Sequence, residues 1–379
     1  MTRRRLHTIK IEGYTSIGSA EVDLRDLNVL VGANGASKSN FISALALLGR
    51  IVDGELNLFV GQAGGGSALL HGGPKGDARV TLRLGFDANG YEATLVPSAG
   101  DELIFGDERI SSQGDGASFE SSLGRGHRET RLHYEMHQRE HRKTHPHDQT
   151  HERARKSVAG EVVEILRGCR VFHFHDTSRN APVKQLGYAS DNITLHPDAG
   201  NLAAVLLRLR DSDPPSYRRI VRTIRQVAPF FREFVLTEEG GRLRLRWLQE
   251  GSDVVFPADA LSDGTLRFIC LTTLLSLPDL PHLVVLDEPE LGLHPYAIVQ
   301  LAEMLRAASR ESQVLIATQS VTLMNQFQLD DLIVVERAGG SSGFDRPDSA
   351  HLQEWLADYS LGELWEKNLL GGRPQAESG

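Results

Sequence analysis

Cysteine is almost missing from this chain: Cys169 and Cys270 are the two thiols in 379 residues. They sit far apart in apolar contexts, which argues against a disulfide-stapled scaffold or a Cys-rich zinc module and leaves two buried free thiols. A basic excess is missing too. The formal net charge is −9, so any nucleic-acid contact must use a local basic surface. No uncharged apolar run reaches the ~18 residues of a membrane span. The amino-terminal MTRRRLHTIKIEGY is basic but has no apolar stretch after it, so a cytoplasmic protein with no membrane partner is expected. No repeat of about 20–50 residues is visible, which excludes solenoids and propellers. What is present, 40% hydrophobic and 24% charged residues, is the balance of a well-cored globular chain. The length allows two or three lobes, or one large α/β domain with insertions.

Patterning predicts two alternating strands in HTIKIEGYTSIGSAEVDL, with a turn at Gly18. LNVLVG reads as a buried strand, and SNFISALALLGRIV as the helix after it. The Gly-rich residues 61–76 read as a mobile loop. ARVTLRLGFDANGYEATLVPS reads as a hairpin turning at Asn89-Gly90, and a further strand is expected at 101–110. Residues 111–157 change character, with seven histidines (His127, His133, His137, His141, His145, His147 and His151). An extended helical arm or a partly disordered insertion is expected there. VVEILRGCRVFHFHDTS restores a helix and a buried strand at 170–175. Two helices broken at Asp213-Pro214-Pro215 follow, then strands at 233–238 and 242–248 around Gly240-Gly241. A helix at 296–309 and strands at 314–318 and 331–336 close the chain.

Chemistry concentrates in three places. GANGASKSN (32–40) lies between a strand and a helix, where backbone N–H groups and a helix N-terminus cradle phosphates. Gly32 and Gly35 allow the tight turn, Lys38 suits the β/γ-phosphates, and Ser39 suits Mg²⁺. Asn34 and Asn40 complete the nucleotide-binding set. The usual G-x-x-x-x-G-K-[ST] has glycine before the lysine; Ser37 stands there, adding a side chain near the phosphates and removing backbone freedom. In HLVVLDEPE, Asp287 ends an apolar strand and suits the metal shell, while Glu288 is the candidate general base for the attacking water. LSDGTLR puts Ser262 and Gly264 at a helix start, which can bind a γ-phosphate or serve as an ordinary N-cap.

Together these stretches resemble the ATP-binding-cassette class of P-loop ATPases, in the branch shared by SMC and RecF-like proteins. More narrowly, the chain resembles the AAA_21 group of predicted ATPases, relatives of which occur in anti-phage and DNA-repair systems. The resemblance runs through IKIEGYTSIGSAEVDL, GANGASKSNF, FHFHDTS, NLAAVLLRL, LSDGTLRF, LDEPELGLHP, IATQS and LGELWEKNLLGGRP. It implies an α/β fold of the ABC/SMC-head type: a mixed-sheet core, an antiparallel β subdomain and a helical lobe. It also implies ATP and Mg²⁺ as ligands, and a homodimer in which Ser262 and Gly264 of one copy close on the ATP of the other. The class usually has a histidine after the next strand; here Gln319 of Thr318-Gln319-Ser320 takes that catalytic position. It can donate a hydrogen bond but cannot shuttle a proton. The lobe-linking glutamine of the class has two candidates, Gln62 and Gln113.

The boundaries expected are an amino-terminal ATPase lobe (1–110), the His/Arg-rich insertion (111–157), a helical lobe with a β-hairpin (158–256) and a carboxy-terminal ATPase lobe (257–379). On a helix His133, His137 and His141 would share a face, and a solvated basic surface is preferred there over zinc. His173 and His175 are expected on one face of a buried strand, structural or near the nucleotide edge. The arginines between Arg208 and Arg225 form either a DNA-contacting stripe or a solvated helix face, with no interleaved aromatics for stacking bases. Two functions stay open: an ATP-hydrolysing dimer, or an ATP-gated module with slow or no hydrolysis that regulates DNA contact or a partner nuclease. Only about 45 residues follow the last core strand, too few for a fused nuclease domain.

Overall fold

The computed structural model describes residues 5–73, 76, 78–113, 118–137, 146–348, 352 and 355–371. Alternation builds its amino-terminal hairpin from β1 (Leu6–Tyr14) and β2 (Ile17–Asp23), with Ile9, Ile11 and Ile17 wholly buried. The turn falls at Thr15-Ser16, where Thr15 has a φ of 49°, and not at Gly18, which lies inside β2. β3 (Leu27–Val31) leads into helix Lys38–Asp53. Helix Leu56–Gln62 and the helical turn Gly66–Leu69 then occupy part of the stretch expected as a loop.

β4 (Val80–Phe86) and β5 (Asn89–Ser98) form the next hairpin. Phe86 pairs with Asn89, so Asp87-Ala88 make the turn and Asn89-Gly90 belong to the strand. The register that buries Leu84, Phe86 and Tyr91 overrides the local Asn-Gly preference. β6 (Glu102–Ser112) and β7 (Phe119–Gly124) complete an antiparallel sheet ordered β2-β1-β4-β5-β6-β7.

The segment expected as an arm thus supplies an edge strand, then helices Leu132–His137 and Pro146–Gly168. His133 Nε2 bonds Val52 O at 2.8 Å, so it ties its helix to the protein and is not a solvated residue. His141, His145 and the side chains of His147 and His151 lie outside the described residues. His127 Nε2 meets Glu108 Oε2 at 2.9 Å. Glu108 is wholly buried and also accepts from Tyr91, Thr130 and the Arg131 amide, which offsets the desolvation of its charge.

β8 (Cys169–Phe172) is followed by short strands β9 (Gly187–Tyr188), β10 (Phe231–Phe234), β11 (Arg242–Leu243), β12 (Arg246–Gln249) and β13 (Val255–Pro257). Between them, helices Leu202–Ser212 and Pro214–Val227 break at Asp213, whose carboxylate caps Ser216 N while Pro214 takes the first helical position. β14 (Leu283–Asp287), β15 (Gln313–Thr318), β16 (Leu332–Ala338) and β17 (Ser341–Asp345) end the strand list.

The second sheet runs β17-β16-β3-β15-β14-β8, parallel except for the edge strand β17. Parallel strands are covered on both faces, which explains their unbroken apolar runs. Period-two alternation then divides the interior. Val29, Val31, Val284, Leu286, Val314 and Ile316 join the core with Val205, Ile224, Ile269 and Leu301 of the helical side. Leu30, Leu283, Val285 and Leu315 join the core with Phe41, Leu45, Val162 and the antiparallel sheet. Each such side chain contributes about 1.5–3 kcal/mol when fully buried. The parallel arrangement also puts the carboxyl ends of β3, β8, β14 and β15 along one edge, where ligands of such sheets bind. Cys169 and Cys270 are buried and unpaired, and burial pushes each thiol up to about 12. Among the described residues no helix is long and apolar enough to cross a membrane.

Candidate nucleotide site

At the end of β3 the loop is shaped by two different demands on glycine. A Cβ on Gly32 would lie 2.5 Å from Val335 O, so close packing requires glycine there. Gly35 has open space but a φ of 79°, so backbone conformation requires it. Ser37 adopts φ 86° and ψ 22°, the left-handed conformation that the motif's usual glycine takes freely. For a residue with a Cβ this costs on the order of 1–2 kcal/mol. Its Oγ accepts a 2.5 Å hydrogen bond from Ser16 Oγ, in the β1–β2 turn.

Lys38 is buried, with Nζ donating to Gly32 O at 2.7 Å and Ala33 O at 3.1 Å. Burial lowers its pKa, against the attraction of Glu288, Asp287 and Glu290. Asn34, Gly35 and Ser39 are exposed at the start of helix Lys38–Asp53, where backbone N–H groups have no intrahelical acceptor. Asn40 donates to Ser16 Oγ at 2.8 Å.

The carboxylates meet this loop from β14. Burial raises the pKa of Asp287, which its hydrogen bond with Ser39 opposes; the like charge of Glu288 raises it further, and His173 and His175 lower it. β8 ends at Phe172, so these two histidines lie just beyond the strand and not within it. His175 lines a small cleft with Asp287 and Glu288, at the edge of the site. Glu288 has a φ of 43° and is held by its amide, which donates to Ala317 O at 2.8 Å. Gln319 Nε2 donates to Glu288 Oε1 at 2.5 Å. Lys38, Ser39, Asp287, Glu288 and Gln319 are thus brought together by three neighbouring strands.

Two participants were not anticipated. Glu290, 8% exposed, accepts from Thr318 Oγ1, while its Oε2 is buried without a partner among the described residues. Its only signal in the sequence was a third acid in LDEPE. Arg267 donates to Phe174 O at 3.3 Å, His175 O at 2.9 Å and Leu291 O at 2.8 Å, joining the helix after Ser262 to the end of β8 and to the carboxylate loop. Three carbonyl acceptors leave no trace in sequence.

Ser262 is an N-cap: its Oγ accepts from Thr265 N at 3.2 Å. A Cβ on Gly264 would lie 2.3 Å from Gly292 O, so the turn rests directly on the loop that follows Glu288. Among the described residues neither Ser262 nor Gly264 bonds the phosphate loop of its own chain. Among the described residues no hydrogen bond ties Gln62 to that loop, and the Gln113 backbone N–H donates to Ala88 O at 2.6 Å. Of the arginines, Arg210, Arg219 and Arg225 bond backbone carbonyls, which fits a structural face for these three.

Residues 27–325 match the family model AAA_21, described as "AAA domain, putative AbiEii toxin, Type IV TA system". No curated protein shows significant similarity to the chain. Among solved structures, an SMC head bound to the C-winged-helix domain of ScpA matches with 16% identity and a TM-score of 0.54, covering 92% of this chain and 99% of that one. An SMC head with an extended coiled coil from Pyrococcus furiosus, bound to the C-terminal domain of ScpA, matches with 15% identity and a TM-score of 0.52, covering 94% and 99%. At such identities the likeness concerns the fold. Since the family model spans most of its length, the chain belongs to the AAA_21 family, on an ABC/SMC-like P-loop ATPase fold.

Proposed function

We propose that this chain binds Mg²⁺-ATP at residues 32–40 and hydrolyses it as a homodimer, each Ser262–Gly264 turn closing on the nucleotide of the other copy. The observation that carries this is the convergence of Lys38, Ser39, Asp287, Glu288 and Gln319 on one sheet edge. Lys38 exchanges the carbonyls of Gly32 and Ala33 for phosphate oxygens, which its flexible stem permits. Ser39 and Asp287 offer oxygen donors already hydrogen-bonded to each other, a set that fits Mg²⁺. The ion, when bound, would neutralise phosphate charge. Glu288 accepts the proton of the attacking water, and Gln319 fixes the orientation of that carboxylate. The dimer is supported by an exposed Ser262 turn that, among the described residues, makes no hydrogen bond to residues 32–40 of its own chain. The resemblance to relatives in anti-phage and DNA-repair systems supports a role in one of these processes, with DNA or a partner nuclease responding to the ATP state.

A second reading, an ATP-gated module with slow or no hydrolysis, is favoured by Ser37 in a strained backbone and by Gln319, which cannot carry a proton. Turnover of the purified protein, with and without Mg²⁺ and duplex DNA, separates the two. A rate below about 10⁻³ per second, far under the usual enzyme range, favours the second.

A further inference from the structure

Ser37 stands where the motif has glycine, yet the loop keeps the glycine's backbone conformation. Something must hold it there, because a residue with a Cβ disfavours a positive φ. Ser37 is 8% exposed, and among the described residues its side chain makes one hydrogen bond, from Ser16 Oγ. Ser16 lies 21 positions earlier, in the turn of the first hairpin. Its hydroxyl is fixed in turn: it accepts from Asn40 Nδ2 at 2.8 Å and from Ser342 Oγ at 3.3 Å, which leaves its own hydrogen for Ser37. The Ser342 amide also donates to Ser16 O at 3.1 Å, so β17 clamps the same turn. These bonds aim one donor at the one residue that departs from the motif.

We infer that Ser16 is a positioning residue of the phosphate loop: its hydrogen bond to Ser37 replaces the conformational freedom of the missing glycine. The inference rests on the reading of residues 32–40 as a nucleotide site. Its signature is a dependence on Ser16 that exists only while Ser37 has a side chain. With glycine at position 37 the left-handed backbone is free, and the Ser16 hydroxyl has nothing left to hold in place.

The test is a titration of the full chain with a fluorescent N-methylanthraniloyl-ATP and Mg²⁺, for wild type, Ser16→Ala, Ser37→Gly and the double variant. Loss of one hydrogen bond predicts that Ser16→Ala weakens binding roughly five- to tenfold. Ser37→Gly should bind at least as tightly as wild type, and adding Ser16→Ala to it should change affinity by less than about twofold. Ser16→Thr, which keeps the hydroxyl, is the folded control, and melting temperatures verify that all variants are native. Wild-type affinity in Ser16→Ala, or an undiminished loss in the Ser37→Gly background, overturns the inference while the nucleotide site stands. Absence of binding by the wild type removes the nucleotide site, and the inference with it.

Discussion

Replacing Glu290 by glutamine changes one atom beside the loop lysine, and the structure sets the sign of the outcome. Oε1 accepts from Thr318 Oγ1, whereas Oε2 is buried with no donor among the described residues. Burial lifts the pKa of this carboxyl above its ordinary value; hydrogen bonding from Thr318 and from the Glu290 and Gln319 amides opposes, and the like charge of Glu288 adds to the rise. An acid with a raised folded pKa holds its proton more tightly folded than unfolded. Its contribution to stability is therefore complete at low pH and is lost as pH rises through the folded pKa. As pH rises the native state must ionise a buried carboxyl whose Oε2 has no close donor among the described residues, which costs about 1–3 kcal/mol. The amide keeps the Oε1 acceptor and removes the charge, but leaves a neutral N–H₂ in the same place. A net gain of about 1 kcal/mol remains, or roughly 2 °C in melting temperature for a chain of this size. Thermal melts by circular dichroism without nucleotide, near pH 8 and near pH 4.5, measure it. The variant should melt above wild type near pH 8, with the difference shrinking near pH 4.5. A lower melting temperature near pH 8, or a difference independent of pH, refutes the reasoning.

Gly264→Ala places a methyl 2.3 Å from Gly292 O, so urea unfolding should show a loss of about 1–3 kcal/mol; unchanged stability would mean that the turn does not rest on that loop. Gln319→Ala removes the donor to Glu288. A hydrogen bond to a charged group contributes about 1.5–3 kcal/mol, so steady-state turnover should fall at least about tenfold while ATP affinity stays within about twofold. Cys169 and Cys270, buried with thiols pushed up to about 12, should resist alkylation near pH 8 until the chain is unfolded, as counted by mass spectrometry; rapid labelling of either in the native protein would contradict their placement.

The strand runs were legible because burial on both faces leaves an apolar record, as LNVLV and LVVLD show. The loop at 32–40 and the strand-end carboxylates stood out as candidates because the chemistry proposed for them fixes residue types at short spacing. Turns were less so: Asn89-Gly90 lost to Asp87-Ala88 because Leu84, Phe86 and Tyr91 chose the register. The same limit hid Ser16, Glu290 and Arg267. Their roles come from contacts between segments far apart in the chain, all three to backbone or hydroxyl groups with no residue preference. The departure at Ser37 was visible, but the hydroxyl that answers it was not.

In the proposed function two copies enclose ATP between the loop of one and the Ser262 turn of the other, with Glu288 as the base. Light scattering coupled to size-exclusion chromatography of Glu288→Gln, run with ATP and Mg²⁺, tests it most directly. An ATP-dependent species of twice the 41.7 kDa chain is expected, with turnover reduced about 10²–10⁴-fold, the range of a lost general base. A species that stays monomeric with ATP, or turnover within about tenfold of wild type, would contradict it.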